Sequence, residues 1–503
     1  MDAAKGEVRG IQFPLDAAGK RRSAPSGRRI VAAALLGLDA EAARAAENER
    51  DWRHRYPRHI KRLVELQAAQ PGQVVVSCLA GLDAAWAELP FVRDGQPLPL
   101  REAMATPGVP ALRSIVLRGQ GTSAPARWEV PYKGRRLYGD ALARKIDQWE
   151  AAGICEPSHA LALRLALLHP EWFDLSDRSV VLLGAGSEAG PLSWLLRWRA
   201  NIVAVDLARP ATWKRIAQRV QAGNATLIAP LAEEAGAGAD IAQAGADLLT
   251  QTPQIAAWLK SLAQPLDLAS IAYLDGERHV RVTLAMDAIA ASLCAADFRT
   301  SLAWMATPTD VFAVPEALAS AVQRAYAERS VLKRMAQAGV RAGSGGRSFV
   351  PHIESLVTDT NGARWGVVDC LVVEQGPNYA LAKRLQQWRA LVARAAGHVA
   401  SINVAPSTTT ASVLSNPALA AGFRGAKAFD VEVFEPETTN ALMAALWVHD
   451  LRNPAGKAMP EVPLAHPLML LAEGANHGGL WRQPCLPRSV LPMAALLGFV
   501  KRN

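Results

Sequence analysis

Tyr379 and Lys383, in the stretch Tyr379-Ala-Leu-Ala-Lys383, are the side chains whose types and spacing most directly suggest chemistry. On a helix, a four-residue separation places both on one face. A nearby ammonium favours phenolate, so the pair is expected to lower the tyrosine pKa and ready it to exchange a proton with an alcohol or carbonyl oxygen. The turn Glu374-Gln-Gly-Pro-Asn378 just ahead supplies Gln375 as a hydrogen-bond donor to the same oxygen. Thr307 and Thr309, after the apolar run Ser301–Ala306, are alternatives for that role. Taken alone, Y-x-x-x-K also arises by chance, as an exposed pair on a helix.

A second constellation could hold the reaction partner. The apolar run Ser179–Leu183 enters Gly184-Ala-Gly186-Ser187-Glu188-Ala189-Gly190, and a second apolar run, Ile202–Val205, ends on Asp206, 22 positions after Gly184. Strand, glycine turn, helix (expected over Pro191–Arg199), strand and acid, in that order, form a dinucleotide-binding fingerprint. Gly184 permits the tight turn, Gly186 lets backbone approach a pyrophosphate, and Ala189 or Gly190 allows close helix–strand packing. The helix N-terminus offers amides and its dipole to phosphate, and Asp206 can accept from the ribose hydroxyls. An S-adenosylmethionine site uses similar chemistry. Asp206 favours NAD over NADP slightly, although Arg209, Lys214 and Arg215 follow closely and can reverse that preference.

In these motifs and their order, the region from about Asp177 onward resembles the short-chain dehydrogenase/reductase superfamily. Leu183-Gly-Ala-Gly-Ser-Glu-Ala-Gly190 resembles its T-G-x-x-x-G-x-G turn, with Glu188 in place of the middle glycine. Ala246-Asp247-Leu248 resembles the acid at the end of its third strand, which touches adenine. Ala269–Tyr273 stands where its N-N-A-G strand would be. Tyr379 and Lys383 match its catalytic Y-x-x-x-K, and the resemblance implies that Lys383 also bonds the nicotinamide ribose. Ser401-Ile-Asn-Val-Ala-Pro406-Ser-Thr408 resembles the strand that contacts the nicotinamide, and Phe434–Leu446 resembles the helix that follows it. The catalytic serine usually lies about 13 residues before the tyrosine, where this chain has Gly366 and Val367. Thr307 or Thr309 takes its place if the fifth strand ends there and residues 311–364 are an insertion.

The elements needed to position these groups are legible as alternating strands and helices from residue 171 onward. They imply an α/β fold with a doubly wound, Rossmann-like parallel sheet whose strands are buried on both faces. Residues 1–29 read as a flexible leader and 30–170 as an additional α/β or mainly helical accessory domain. Within the latter, Gln73–Cys78 reads as a buried strand, 97–123 as loops, and Gly139–Ala151 and Pro157–Leu168 as amphipathic helices. His477, in Ala475-Asn-His-Gly-Gly479, reads as part of a surface loop.

Of the 503 residues half are hydrophobic and a fifth charged, and the net charge is +9. The basic residues Lys20–Arg22 and Arg28–Arg29 lack interleaved aromatics, so no nucleic-acid module is implied. Five cysteines without C-x-x-C spacing argue against structural zinc and disulfides, and no metal site is expected. With no secretory signal and no membrane span in view, a cytoplasmic location is expected. The function expected is NAD(P)-dependent oxidation or reduction of a small-molecule alcohol or carbonyl. Bulk or a carrier on the substrate, and a homo-oligomer, would suit the insertion and the extra domain. A non-catalytic NAD(P)-binding or sensing protein and an S-adenosylmethionine-dependent methyltransferase are the alternatives.

Overall fold

The computed structural model describes residues 9–500 except 109, 110, 189, 237 and 416. It is a mixed α/β structure built on a seven-stranded, mostly parallel sheet flanked by helices. From one edge, the strands are Ala400–Val404, Ser301–Ala306, Asp267–Ser270, Ser179–Leu183, Asn201–Val205, Thr226–Ala232 and Leu112–Arg118. All pair in parallel except the last, which runs antiparallel to Thr226–Ala232. Ser179–Leu183 comes first in the chain among the parallel strands. Successive strands then step outward on one side of it before the chain crosses to the other side. That reversal leaves a crevice between the carboxyl ends of Ser179–Leu183 and Asp267–Ser270, where open α/β sheets hold their ligands. The central strand Ser179–Leu183 is almost wholly apolar because helices cover both faces of the sheet: Val180, Val181, Leu182 and Leu183 are all fully buried.

Most of the expected elements from residue 201 onward appear within a few residues of their expected bounds. The helix after the glycine turn does not. It is one turn, Leu192–Leu195, because the chain turns back at Arg199, whose φ is +60°, to enter the strand at Asn201. The helix expected over Pro315–Ala338 is two, Glu316–Ala327 and Val331–Gly343. Trp365 and Val367 lie on Arg364–Asp369, which pairs antiparallel with Val311–Pro315 and Val357–Thr358 in a separate small sheet. The insertion thus builds its own sheet beside the main one.

The first 170 residues depart furthest from the sequence reading. Gly10–Ile11 pairs with Phe91–Arg93, and Ser23–Leu36 is a helix, so the described part of residues 1–29 is ordered structure. Gln73–Cys78 opens the helix Val74–Glu88. A short apolar run is ambiguous between buried strand and buried helix, and here the Ala- and Leu-rich continuation to Glu88 favours helix. The stretch read as loops holds the helix Leu100–Ala105 and the edge strand of the main sheet. Nor do residues 30–105 have a core of their own. Ile30, Leu35, Ile60, Leu63 and Leu82 belong to one hydrophobic core with Val181, Leu268, Leu302 and Trp388. Gly81 is the point of closest approach: a Cβ there would lie 2.4 Å from the Trp388 ring. Trp86 Nε1 donates to Asp287 Oδ2 (2.7 Å), and the Tyr56 hydroxyl donates to the Val372 carbonyl (3.1 Å). These helices brace the helix Pro377–Ala395, which carries Tyr379 and Lys383.

Candidate active site

Five parallel strands end at a single cleft of about 1030 Å³. Its walls come from the segments after Leu183, Val205, Ser270, Met305 and Val404, together with the start of the helix Pro377–Ala395. Ligand pockets commonly measure about 300–1,000 Å³, so the cleft has room for a large ligand. Gly184, Gly186, Ser187, Glu188, Asp206, Asp247 and Leu248 line one end. Thr307, Thr309, Gln375, Tyr379, Lys383, Pro406 and Thr408 line the rest. Gly190 lies outside the lining, packed beside Ile271, and Ala189 falls outside the described residues.

At the glycine end the backbone is held tightly. Gly184 has φ +94°, and a Cβ there would sit 2.6 Å from Ala272 Cα and 2.8 Å from Ala272 N. Gly184→Ala therefore forces a left-handed conformation on alanine and pushes apart the two segments that form the crevice. A loss of about 1–3 kcal/mol from backbone strain alone, with weakened ligand binding, is expected in thermal melts and titrations. The amides of Gly184 and Ala185 donate to the Val205 carbonyl (2.9 and 3.1 Å), and the Ser187 amide donates to the Gly184 carbonyl (3.0 Å). Asp206 turns back onto the turn itself. Its Oδ2 accepts from the Gly186 amide (2.6 Å) and its Oδ1 from the Leu207 amide (2.8 Å). The carboxylate expected to meet a ribose is thus engaged with the amide expected to meet a phosphate. Arg209 and Arg215 line the same end. Asp247, expected at a strand end, lies instead in the loop after Thr226–Ala232, where its Oδ1 accepts from the Leu249 amide (2.8 Å).

At the opposite end the expected catalytic side chains gather. The Thr307 hydroxyl stands beside the Tyr379 phenol, Thr307 Oγ1 and Thr309 Oγ1 lie 2.9 Å apart, and Gln375 Nε2 donates to Thr309 Oγ1 (2.8 Å). Gln375 Oε1 is buried without a partner. Lys383 Nζ donates to the Met305 carbonyl (3.1 Å) and to Gln386 Oε1 (3.2 Å) and lies 5.8 Å from the Tyr379 ring centre. An ammonium carries three N–H donors, so one remains for the cleft.

The electrostatics differ from the sequence expectation. Burial pushes the Tyr379 phenol up to about 12, opposed by the Thr307 hydroxyl. Lys383 does not lower it, because the amine is itself burdened: burial pushes it down to about 8, opposed by the Asp310 charge. In so dry a setting, desolvation outweighs the pairing that spacing suggested.

Two neighbours of Tyr379 gave no signal in the sequence. His279, on the helix Glu277–Ala296, stacks on the Tyr379 ring (centres 5.6 Å apart, planes at 26°) and also meets Tyr273 at 4.7 Å. Burial drives its pKa down to about 3, so it stays neutral and offers an aromatic wall. Beneath the threonines, Asp310 and Arg384 form an ion pair (2.7 Å) with both side chains almost wholly buried. An isolated histidine in an apolar helix and two charges 74 positions apart carry no local pattern by which to find them.

His477, read as part of a surface loop, is fully buried, with Nε2 at 2.9 Å from Glu156 Oε1. The polar ring it brings inside is met by a carboxylate, which is how a glycine-rich turn can be drawn into a core. Among the described residues, no three His, Cys, Asp or Glu side chains gather into a metal-holding group. Among the described residues one helix, Glu277–Ala296, is long and apolar enough to cross a membrane, and 67% of its most apolar window is buried inside the protein. Comparison of the chain with models of known protein families, with curated proteins and with solved structures finds no match to any of them.

Proposed function

We propose that the chain is an NAD(P)-dependent oxidoreductase of the short-chain dehydrogenase/reductase type, with a Rossmann-like sheet, acting on a carbonyl or alcohol in a reducing, cytoplasmic setting. The observation that carries this reading is the grouping of Tyr379 and Lys383 with the hydrogen-bonded chain Thr307–Thr309–Gln375, in the same cleft as Gly184, Gly186 and Asp206. The cleft suits a dinucleotide in length and position. Bound nicotinamide supplies the hydride.

The protein's own groups then have distinct work. The Tyr379 phenol, held protonated by burial, donates its proton to a carbonyl oxygen as charge develops there. Thr307, held by Thr309 and through it by Gln375, stands beside that phenol to meet the same oxygen. Lys383 offers its remaining N–H to a ribose hydroxyl, and His279 shields the phenol from water.

A second reading, a nucleotide-holding or sensing protein without turnover, is supported by the bond between Asp206 and the Gly186 amide, which a pyrophosphate would have to displace. With Asp206 so engaged and Arg209 and Arg215 nearby, NADP is a fuller alternative to NAD than the sequence suggested. Fluorescence titration with NADH, NADPH and S-adenosylmethionine, followed by turnover on a carbonyl panel, separates these readings. The reductase reading requires dinucleotide binding and hydride transfer. Binding without transfer leaves the sensing role, and S-adenosylmethionine binding alone defeats both.

A pH profile tests Lys383 separately. Its pKa near 8 means the cation predominates below that value and is lost above it. With the cation as the working form, kcat/KM for NAD(P)H-dependent turnover should fall as pH rises through about 8. Lys383→Arg, always charged, should lose that descending limb while turning over more slowly.

A further inference from the structure

We infer that the insertion and the last helix together form a surface that docks on an anionic lipid bilayer. The helix Val331–Gly343 is strongly two-sided and stands clear of the core along its length. Only Gln337 and Arg341 are half-buried, where Arg329 bonds Gln337 and Arg341 Nη1 reaches the Tyr326 hydroxyl (3.4 Å). Its apolar side faces out, with Leu332 80% and Met335 69% exposed and Val331 beside them; none of its residues is buried. Apolar side chains turned away from the core on a two-sided helix mark a surface awaiting a partner.

The helix Pro487–Val500 repeats the pattern. Pro492, Leu496, Phe499 and Val500 are exposed at spacings of four, three and one, a single stripe along its length. A small core of Phe349, Cys485 and Val490, against which Tyr326 packs, lies between them: Val490 is on the last helix, and Arg341 of the other reaches Tyr326. Val350 N also donates to Ser489 Oγ at 3.1 Å. On its inner side, Pro487–Val500 packs along Pro417–Gly425, with Arg424 Nε donating to the Gly498 carbonyl (3.1 Å). Leu419 and Phe423 of that inner helix line the cleft. The apolar surface therefore borders the wall of the candidate active site.

Charge selects the occupant. From Arg329 to Ile353 the chain carries Arg329, Lys333, Arg334, Arg341 and Arg347 and no acidic residue. From Cys485 to Asn503 it carries Arg488, Lys501 and Arg502, again without an acid. Apolar stripes flanked by cations of one sign suit a bilayer of anionic headgroups, where each Lys or Arg adds to binding and the apolar side chains enter the interface. A second copy of the chain would bring the same positive charge against itself.

Flotation of the full chain with phosphatidylcholine vesicles, with and without phosphatidylserine, tests this and reads binding rather than turnover, so it is separate from the reductase reading. The chain should float with the anionic vesicles only, and less as salt is raised. The paired changes Leu332→Asp with Met335→Asp, and Lys333→Glu with Arg334→Glu, should each cut the bound fraction roughly tenfold or more. Because these four side chains are exposed, circular dichroism and melting should be unchanged. The proposal is overturned if the chain ignores anionic vesicles, or if both paired variants float as the parent does. It is equally overturned if light scattering shows a dimer that Leu332→Asp dissociates, since a second copy would then cover the face.

Discussion

Tyr379→Phe should leave NAD(P)H binding within about twofold of the parent while lowering kcat for carbonyl reduction by about 10²–10⁴-fold, the usual contribution of a positioned general acid. The phenyl ring still stacks against His279 and fills the same space, so what is lost is the transferable proton and the polar contact beside Thr307. Steady-state kinetics paired with coenzyme titration checks both halves. A variant that keeps full turnover removes the phenol from the mechanism. One that stops binding coenzyme shows that the ring is structural. Thr307→Val is a gentler companion: with the phenol still present, it should lower kcat by a smaller factor, since orientation is lost but not the acid.

The largest effect on stability is expected at the ion pair beneath the site. Arg384 Nη2 donates to Asp310 Oδ2 and to the Val311 carbonyl (both 2.7 Å), and Gln387 Nε2 donates to the same carboxylate oxygen (2.9 Å). Arg384→Leu leaves Asp310 charged and enclosed, a change that costs about 3–5 kcal/mol. Against a typical total of about 5–15 kcal/mol, this should appear as a steep fall in the denaturant midpoint. Adding Asp310→Leu should recover much of the loss, because the penalty comes from the stranded charge rather than from the pair. If the double variant is no more stable than the single, the pair itself contributes through packing or geometry. Asp310 adjoins Thr309, so activity should fall in step with either change.

The sheet was legible because a buried parallel strand leaves an unmistakable trace. Ser179–Leu183 and Asn201–Val205 are apolar on both faces beyond their first residue and are followed by segments that break the pattern. The cleft was legible for the same reason: its residues sit just after strands, and a parallel sheet carries all such positions to one edge. The short helix Leu192–Leu195 was not, since Pro191–Arg199 has the composition of a longer helix and only the return at Arg199 cuts it off. The first 170 residues escaped because their partners lie elsewhere in the chain. Val74–Glu88 reads as ambiguous until Trp388 is seen resting against Gly81. The tyrosine's acidity was misjudged because spacing reports who is near and says nothing about how dry the neighbourhood is.

The bracing of the helix Pro377–Ala395 by the opening helices has a consequence for how the protein is made. Tyr56 finds its acceptor 316 positions later at Val372, and His159 finds its acceptor 315 positions later at Gly474. The leading segments leave the ribosome long before their partners exist, with Ile60 and Leu63 still lacking most of the core that will enclose them. Contacts so distant along the chain slow folding and leave apolar surface uncovered while synthesis continues. Chaperone demand during translation is therefore built into this topology.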